Sequence, residues 1–359
     1  MDDPHEVTSG DWLAPILELE DRIGILSVYL DADPALAAGD RPAWQAPVRA
    51  GLRDVVKEAR QEWPRDDRIA LEARLAELEP ELASLLGRGG ASRGRALFAA
   101  IDGDTVRQLE LHALLPSMVA FARQAAVLPL VAVRQDGRPA GVAELSSARI
   151  VLSEWELGML NEVETVDLEP VADDGGRPAT NPAVPQSFPD RDRFQAGVDS
   201  RVLARTREVG ADLRARAAER GWDVVVVDGD ARLVDALAAD LGPDGPDLLP
   251  SSQPFSGDRG ETADRVGAAL RDRRHAEEER LVERLNASAA ATHDVTVVER
   301  ALAEGRIEHL LLQLPGDPSG FAAAESLFRH ALATSARVTV LHKASAVLGP
   351  DGVAALLRW

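Results

Sequence analysis

The stretch Trp222-Asp-Val-Val-Val-Val-Asp-Gly-Asp230 indicates the fold class of this chain. Its run of four valines is typical of a strand that is buried on both faces. The Asp-Gly-Asp turn leads into residues 231–241, whose apolar and alanine-rich pattern predicts a helix, and residues 196–220 predict a longer helix before the strand. A strand between two helices is typical of an α/β domain with a mixed sheet.

Upstream of this unit the sequence predicts three strands and one long loop. The strands are expected at residues 127–133, 141–145 and 149–152. Residues 167–195 contain five prolines and the pair Gly175-Gly176, which predicts a loop without regular structure. Loops of that length inside a compact domain are usually either functional or disordered. We therefore place a middle domain at residues 124–250, with this loop as a candidate functional element.

We expect two further α/β domains, an N-terminal one at residues 1–123 and a C-terminal one at residues 251–359. In the N-terminal domain we expect strands at residues 24–30 and 95–101 and helices at residues 44–63 and 66–86. In the C-terminal domain we expect helices at residues 261–285, 295–304 and 321–334 and strands at residues 307–313 and 337–341. The chain is thus expected to be a multidomain α/β protein.

Composition excludes several classes of function. The 359 residues include no cysteine, which excludes disulfides, thiolate nucleophiles, iron–sulfur clusters and cysteine-based zinc sites. The formal net charge is -20, so the surface as a whole repels nucleic acid, and any contact with RNA needs a local basic patch. The N-terminus lacks the basic and apolar regions of a signal peptide, and no apolar run reaches about 18 residues. We therefore expect a soluble, cytoplasmic protein.

Two pairs of carboxylates follow apolar strands and are candidates for magnesium binding. Asp31 and Asp33 follow the first predicted strand, and Asp228 and Asp230 follow the strand of valines. The first pair resembles the opening motif of haloacid-dehalogenase-type phosphatases, so a Mg²⁺-dependent phosphotransferase is one alternative function. Pro34 stands where that family needs threonine or valine, and the same carboxylates suit strand-ending turns. We therefore prefer the structural role, and we expect neither a metal nor a cofactor.

Residues 196–220 contain the densest group of basic residues in this acidic chain. At the helical period of 3.6 residues, an apolar stripe is flanked by arginines on both sides. One flank carries Arg201, Arg205 and Arg216, the other carries Arg207 and Arg214, and Arg191 and Arg193 lie just upstream. These seven arginines, which we name the arginine patch, are candidates for contacts with RNA phosphates. The alternative is that their stems cover the core while their charged ends stay in water.

Several short motifs, in their order and spacing, resemble one protein superfamily. They are Leu26-Ser-Val-Tyr-Leu-Asp31, Arg93-Gly-Arg-Ala-Leu-Phe-Ala99, Leu128-Pro-Leu-Val131, the stretch from Phe194-Gln-Ala-Gly197 to Ala204-Arg-Thr-Arg-Glu208, Ala303-Glu-Gly-Arg-Ile-Glu-His-Leu-Leu-Leu312 and Asp351-Gly-Val-Ala-Ala-Leu-Leu-Arg358. Over nearly its whole length the chain resembles the bacterial branch of the archaeo-eukaryotic class I peptide-chain release-factor superfamily, which includes relatives of the hibernation factor Balon and of Pelota. The resemblance implies a divergent N-terminal domain, an RNase H-like middle domain and a C-terminal α/β sandwich like kink-turn-binding ribosomal proteins and Pelota.

The resemblance also implies binding in the ribosomal A site, with the middle-domain loop directed toward the peptidyl-transferase centre. Active members carry Gly-Gly-Gln at the tip of that loop, because glycines let the backbone approach the tRNA end and the glutamine helps to position water. Matching Ala204-Arg-Thr-Arg-Glu208 to the family's helix puts Ala196-Gly197-Val198 at that position. Gln186 and Gln195 lie nearby, but neither follows a glycine pair. Together with Gly197 they are the candidate catalytic residues.

These departures lead to one leading hypothesis and one enzymatic alternative. The chain is expected to be a ribosome-associated translation factor of hibernation or rescue that binds ribosomal RNA without cleaving peptidyl-tRNA. The alternative is an active release factor, a peptidyl-tRNA hydrolase that uses Gln186 or Gln195. The expected partners are the ribosome, through rRNA and tRNA, and a translational GTPase such as elongation factor Tu. We expect a monomer without membrane contact.

Overall fold

The structure, a computed structural model, describes residues 5–6, 12–32, 45–87, 92–168, 188–239, 241–314, 318–341, 348 and 351–358. It consists of two compact units: Met1–Gly137 together with Arg274–Trp359, and Arg138–Arg273. Both units combine helices with sheets, which confirms the expected multidomain α/β class. The three sheets lie within residues 5–124, 140–250 and 291–357, and the division into three domains stays a prediction.

The first unit begins with a five-stranded sheet in the order β1-β4-β3-β2-β5. Its strands are β1 (His5–Glu6), β2 (Glu20–Asp31), β3 (Gly94–Ala100), β4 (Val106–Leu111) and β5 (Met118–Gln124). Its helices are α1 (Ala14–Leu17), α2 (Gln45–Glu62), α3 (Arg65–Glu77) and α4 (Glu79–Leu86). Neighbouring strands are antiparallel, except that β1 and β4 are parallel. The strands predicted at residues 24–30 and 95–101 are confirmed as β2 and β3.

β2 is a central strand because the middle of its sequence is apolar on both faces. Leu26 and Val28 pack against α2, α3 and α4, and the residues between them face the opposite side of the sheet. Gly24 leaves room for the ring of Phe121 on β5, because a Cβ at position 24 would lie 2.3 Å from that ring. That ring packs on Trp63, with the two ring centroids 4.7 Å apart. This ring contact helps to hold the helices against the sheet.

Residues 127–133, predicted as a strand, instead begin the helix α5 (Leu128–Asp136). The strand prediction was wrong because an apolar run is equally compatible with a helix that is buried all round, and residues 128–133 are all buried. Pro129 lies in the first turn, where its missing N–H costs no helical hydrogen bond. The N–H groups of Val127 and Leu128 donate to the carboxylate of Glu325, at 3.0 and 2.9 Å.

The second unit contains a five-stranded sheet in the order β10-β9-β6-β7-β8. Its strands are β6 (Ala140–Leu145), β7 (Arg149–Glu156), β8 (Met159–Asp167), β9 (Val224–Gly229) and β10 (Asp247–Pro250), and its helices include α6 (Phe188–Arg220) and α7 (Ala231–Ala238). β6, β7 and β8 form an antiparallel meander, whereas β9 pairs in parallel with both β6 and β10. This arrangement agrees with the RNase H-like domain that the resemblance implied.

Part of the segment predicted as a loop, residues 167–195, is helical in the structure. α6 begins at Phe188, so residues 188–195 are helical and this part of the prediction was wrong. Pro189 is compatible with helix because proline is tolerated in the first turn. The rest of the predicted loop, residues 169–187, lies outside the described residues.

The remaining elements are α8 (Arg259–Ala287), β11 (Ala291–Thr292), α9 (Val295–Ala303), β12 (Ile307–Gln313), α10 (Pro318–Ala333), β13 (Arg337–Leu341) and β14 (Val353–Leu357). Their sheet has the order β11-β14-β12-β13, with β12 and β13 parallel. Leu281 and Leu285 of α8 pack with Leu311 and Leu341 of this sheet. The helices and strands predicted in this region are confirmed, with ends that differ by a few residues. Among the helices of the described ranges, none is long and apolar enough to cross a membrane.

Candidate nucleic-acid interface

Helix α6 carries the arginine patch, and a buried stripe fixes how it lies on the sheet. Val202, Val209 and Leu213 recur at helical spacing and pack against the valines of β9. At Gly210 the helix touches the backbone of α7, because a Cβ there would lie 2.3 Å from the carbonyl oxygen of Leu237. The face of α6 that carries the arginines is therefore turned away from the core.

Carboxylates balance the charge on one flank of α6. Arg205 forms an ion pair with Glu208, one turn along the helix, at 2.5 Å. Arg216 forms an ion pair with Glu164 of β8. A phosphate group approaching this flank meets as much negative as positive charge, which weakens its attraction. The charged residues that the helix itself contributes to this flank are Arg201, Arg205, Glu208, Asp212, Arg216 and Glu219.

The opposite flank of α6 carries arginines without carboxylates. Arg207 and Arg214 are exposed, and neither forms an ion pair or a hydrogen bond with another described residue. They are two helical turns apart, which separates them by about 10 Å along the axis. The helical positions around them are taken by Leu203, Ala211 and Ala218, which carry no charge. Positive charge therefore stays uncompensated on this flank within the described part of the chain.

The other predicted site residues belong to the beginning of α6 or lie before it. Those within the helix are Arg191, Arg193, Gln195 and Gly197, and for these four residues only the helical backbone is described. Gln186 lies outside the described residues altogether. The position expected for Gly-Gly-Gln, Ala196-Gly197-Val198, is helical. Inside a helix the backbone N–H groups are used by hydrogen bonds to the preceding turn, so this segment offers little free backbone to a ligand.

The two carboxylates after β9 have structural partners. Asp228 Oδ2 accepts a hydrogen bond from the N–H of Phe255 at 2.7 Å. Asp230 caps α7 by accepting the N–H of Arg232 at 2.8 Å, and its carboxylate also pairs with that arginine at 3.1 Å. These hydrogen bonds lower the pKa of Asp230. The arrangement is that of a strand-ending turn that starts a helix.

The first pair of carboxylates is described only in part. Asp31 ends β2 and donates its N–H to Ser117 Oγ at 3.0 Å, whereas Asp33 lies outside the described residues. Across the described ranges, no three histidine, aspartate or glutamate side chains come together in a way that would hold a metal ion.

One cluster beside α6 had no signal in the sequence. Trp222 Nε1 donates to Glu154 Oε2 at 2.8 Å. Arg220 pairs with the same oxygen at 3.3 Å, and its guanidinium lies 5.8 Å from the centroid of the Trp222 ring. Burial, and then the charge of Glu154, raise the pKa of Glu156 on the same strand. Sheet pairing alone brings β7 to the end of α6, so no spacing of residues along the chain reveals this cluster.

Residues 126–249 match the family model described as Bacterial archaeo-eukaryotic release factor family 10. The chain is similar to the archaeal translation termination factor aRF1, with 16% identity over 97% of this chain and 96% of that chain and a TM-score of 0.26. It is similar to Pelota from Archaeoglobus fulgidus, with 15% identity over 74% and 79% of the two chains and a TM-score of 0.36. It is similar to the termination-like factor Dom34 from S. cerevisiae, with 11% identity over 63% and 65% and a TM-score of 0.33. No curated protein sequence matches the chain.

Proposed function

We propose that this chain, whose residues 126–249 match a family model of bacterial archaeo-eukaryotic release factors, is a ribosome-associated translation factor. The family match carries the proposal, because it covers the second sheet and the helix with the arginine patch. A chain with a net charge of -20 needs such a local basic surface to contact RNA. The patch therefore supplies the phosphate contacts in this proposal.

The contact is proposed to start on the flank of Arg207 and Arg214. These two side chains are exposed and have no carboxylate partner in the described part of the chain, so a phosphate does not have to displace one. Arg205 and Arg216 contact phosphate only after they leave Glu208 and Glu164. Arg191, Arg193 and Arg201 complete the proposed surface.

The finer proposal is that the chain occupies the A site in hibernation or rescue without hydrolysing peptidyl-tRNA. The position expected for Gly-Gly-Gln reads Ala196-Gly197-Val198, which contains no glutamine. Its helical backbone supports the same view, because a water-positioning amide needs a loop tip that reaches the ester carbonyl. The proposal includes rRNA and tRNA as ligands and a GTPase such as elongation factor Tu as a partner. It also includes a monomeric chain that works in the cytoplasm.

Purified 70S ribosomes with peptidyl-tRNA in the P site test both levels of the proposal. We expect the protein to sediment with the ribosomes and to release no peptide above the rate measured without protein. Peptide release that is lost in Gln186→Ala or Gln195→Ala would establish the enzymatic alternative. Failure to sediment with either empty or loaded ribosomes at low salt would overturn the ribosomal function itself.

A further inference from the structure

The free edge of the first sheet borders an open groove. β5 is the outermost strand on that side, and within the described part of the chain it pairs only with β2. A sheet edge presents unpaired backbone N–H and C=O groups, so another strand can add to it. Whether a strand can add here depends on which backbone groups of β5 point away from β2.

The hydrogen bonds of β2 show which residues face each neighbour. In a central antiparallel strand, alternate residues bond to the strands on either side. The carbonyl of Gly24 accepts the N–H of Ile101 at 3.1 Å, on the side of β3. The N–H of Asp31 donates to Ser117 Oγ at 3.0 Å, on the side of β5. From residue 24 to residue 31, where the pairing is regular, even-numbered residues of β2 therefore bond toward β3 and odd-numbered residues bond toward β5.

This alternation assigns the outward groups of β5. Ser27 is odd-numbered and lies opposite Ala120, so Ala120 bonds to β2. The backbone groups of Val119 and Phe121 then point away from β2, into the groove. No other described residue makes a hydrogen bond to the backbone of these two residues. Beyond Ala122 the register between β5 and β2 shifts, and the N–H of Ala125 donates to the carbonyl of Leu19 at 3.1 Å, so the alternation does not extend there. The N–H and C=O groups of Val119 and Phe121 are therefore the ones that an added strand would bond.

Two helices form the walls of the groove. α2 packs over one face of the sheet, against Val119 and Phe121. α10 borders the other side, where Arg329 donates to the carbonyl of Ala125 just after β5. The groove runs along residues 119–124 and encloses about 1080 Å³. This volume lies at the upper end of the range for small-molecule sites. Because the groove follows a strand, its shape fits a peptide segment in extended conformation.

The groove is acidic. Four exposed carboxylates line it, and none of them forms an ion pair with another described residue. Arg329 forms an ion pair with Glu325 at 3.2 Å. The other basic side chains that line the groove are Arg123 and His330. Positive side chains are therefore attracted to the groove and negative ones are repelled. The four carboxylates belong to Glu18, Glu20, Asp54 and Glu58.

We propose that this groove binds an extended basic segment of a partner protein, which adds to β5 as a further strand. Lysine or arginine at alternate positions would face Asp54 and Glu58 of α2. The positions between them would face Ala120 and Ala122, which leave room for apolar side chains. The charge complementarity selects this occupant: a second copy of the chain would bring two sets of carboxylates together, and a nucleic acid would be repelled. The inference does not depend on the ribosomal function.

A fluorescent octapeptide of alternating arginine and valine is the probe, because β5 has 7 residues. We expect its anisotropy to rise on titration with the full chain at low salt, while the matching glutamate–valine peptide does not bind. Asp54→Asn with Glu58→Gln should weaken binding about fivefold. Glu62→Gln with Asp66→Asn removes the same charge from exposed positions outside the groove and should leave binding unchanged.

Two further measurements test the strand pairing itself. Methylating alternate backbone nitrogens of the peptide removes its donors and should weaken binding about tenfold. The amide protons of Val119 and Phe121, which face the groove, should exchange with solvent more slowly once the peptide is bound, and those of Ala120 and Ala122, which face β2, should not change. The proposal is overturned if the methylated peptide binds as well as the parent, or if the chain binds the glutamate–valine peptide. It is also overturned if Asp54→Asn with Glu58→Gln changes only dimerisation in sedimentation, or if single-stranded RNA displaces the peptide.

Discussion

The carboxylate of Glu325 accepts the backbone N–H of Leu128 at 2.9 Å, so a side chain of α10 caps the helix α5. The same oxygen accepts the N–H of Val127 at 3.0 Å. The second oxygen pairs with Arg329 at 3.2 Å, and that guanidinium donates to the carbonyl of Ala125. Burial raises the pKa of Glu325, while these hydrogen bonds and the charge of Arg329 limit the rise. One buried ion pair thus connects α10 to the chain between β5 and α5.

Glu325→Ala should lower the free energy of unfolding by about 2–4 kcal/mol, because it leaves a largely buried arginine and two N–H groups without their partner. Urea denaturation at pH 7 measures the change. Ser326→Ala, at the exposed neighbouring position, should change stability by less than about 0.5 kcal/mol. Equal midpoints for the two variants would mean that the network does not stabilise the fold.

The stability of the chain should fall as the pH drops from 6.5 to about 4. Burial, followed by the charges of Arg337 and Arg284, lowers the pKa of His309 to about 4, so in this window the unfolded chain binds a proton that the folded chain does not. The free energy of unfolding should fall between pH 7 and pH 5 in the parent, and it should fall less in His309→Gln. The two decreases should differ by about 1–3 kcal/mol. His330→Gln, at an exposed position, is the control and should keep the parent's profile.

Reversing the unpaired flank of α6 should weaken ribosome binding more than reversing the paired flank. Arg207→Glu with Arg214→Glu removes two uncompensated charges, whereas Arg201→Glu with Arg205→Glu acts where carboxylates already balance the arginines. Each lost phosphate contact should lower the slope of log affinity against log salt by roughly 0.7–0.9.

The matched control for this comparison lies on α8. Arg271→Glu with Arg280→Glu changes the net charge by the same amount at exposed positions. Arg274 is unsuitable as a control because it pairs with Asp136 at 2.8 Å. Identical salt dependence in all three double variants would show that α6 is not the RNA-binding surface.

Gly210→Ala should destabilise the second unit although alanine favours helices. At an exposed helical position this change stabilises by about 1 kcal/mol. Here the new Cβ would lie 2.3 Å from the carbonyl oxygen of Leu237, so α6 and α7 have to move apart, at a cost of about 1–3 kcal/mol. A thermal midpoint above that of the parent would contradict the close approach of these helices.

Asp230→Ala should cost about 1 kcal/mol of stability because it removes the cap of α7, and Asp230→Asn should cost much less because it keeps an accepting oxygen. Guanidinium chloride denaturation separates the two variants. The phosphotransferase alternative concerns Asp31 and Asp33 instead, and a hydrolysis of a model phosphoester that is lost in Asp31→Ala would support it.

Strands with apolar runs were accessible from the sequence, but three edge strands of mixed composition, β5, β8 and β10, were not. β2, β3, β9 and β12 each contain an apolar run, so their type follows from local composition. β5, β8 and β10 contain mixed sequences with many exposed residues, and they are strands because a neighbour supplies hydrogen bonds. The wrong assignment of α5 has a related origin, because an apolar run does not reveal whether a helix or a strand is buried.

The sequence by itself determined that α6 is a helix with a buried stripe and arginines on both flanks, because the period of 3.6 residues is a property of near neighbours in the chain. Only the tertiary structure decided which flank keeps its charge, since Glu164 reaches Arg216 through the position of β8. It also decided where α5 begins, since the capping carboxylate of Glu325 lies 198 residues along the chain from Val127. Periodicity is local, whereas hydrogen bonds and ion pairs between distant segments exist only after the sheets have formed.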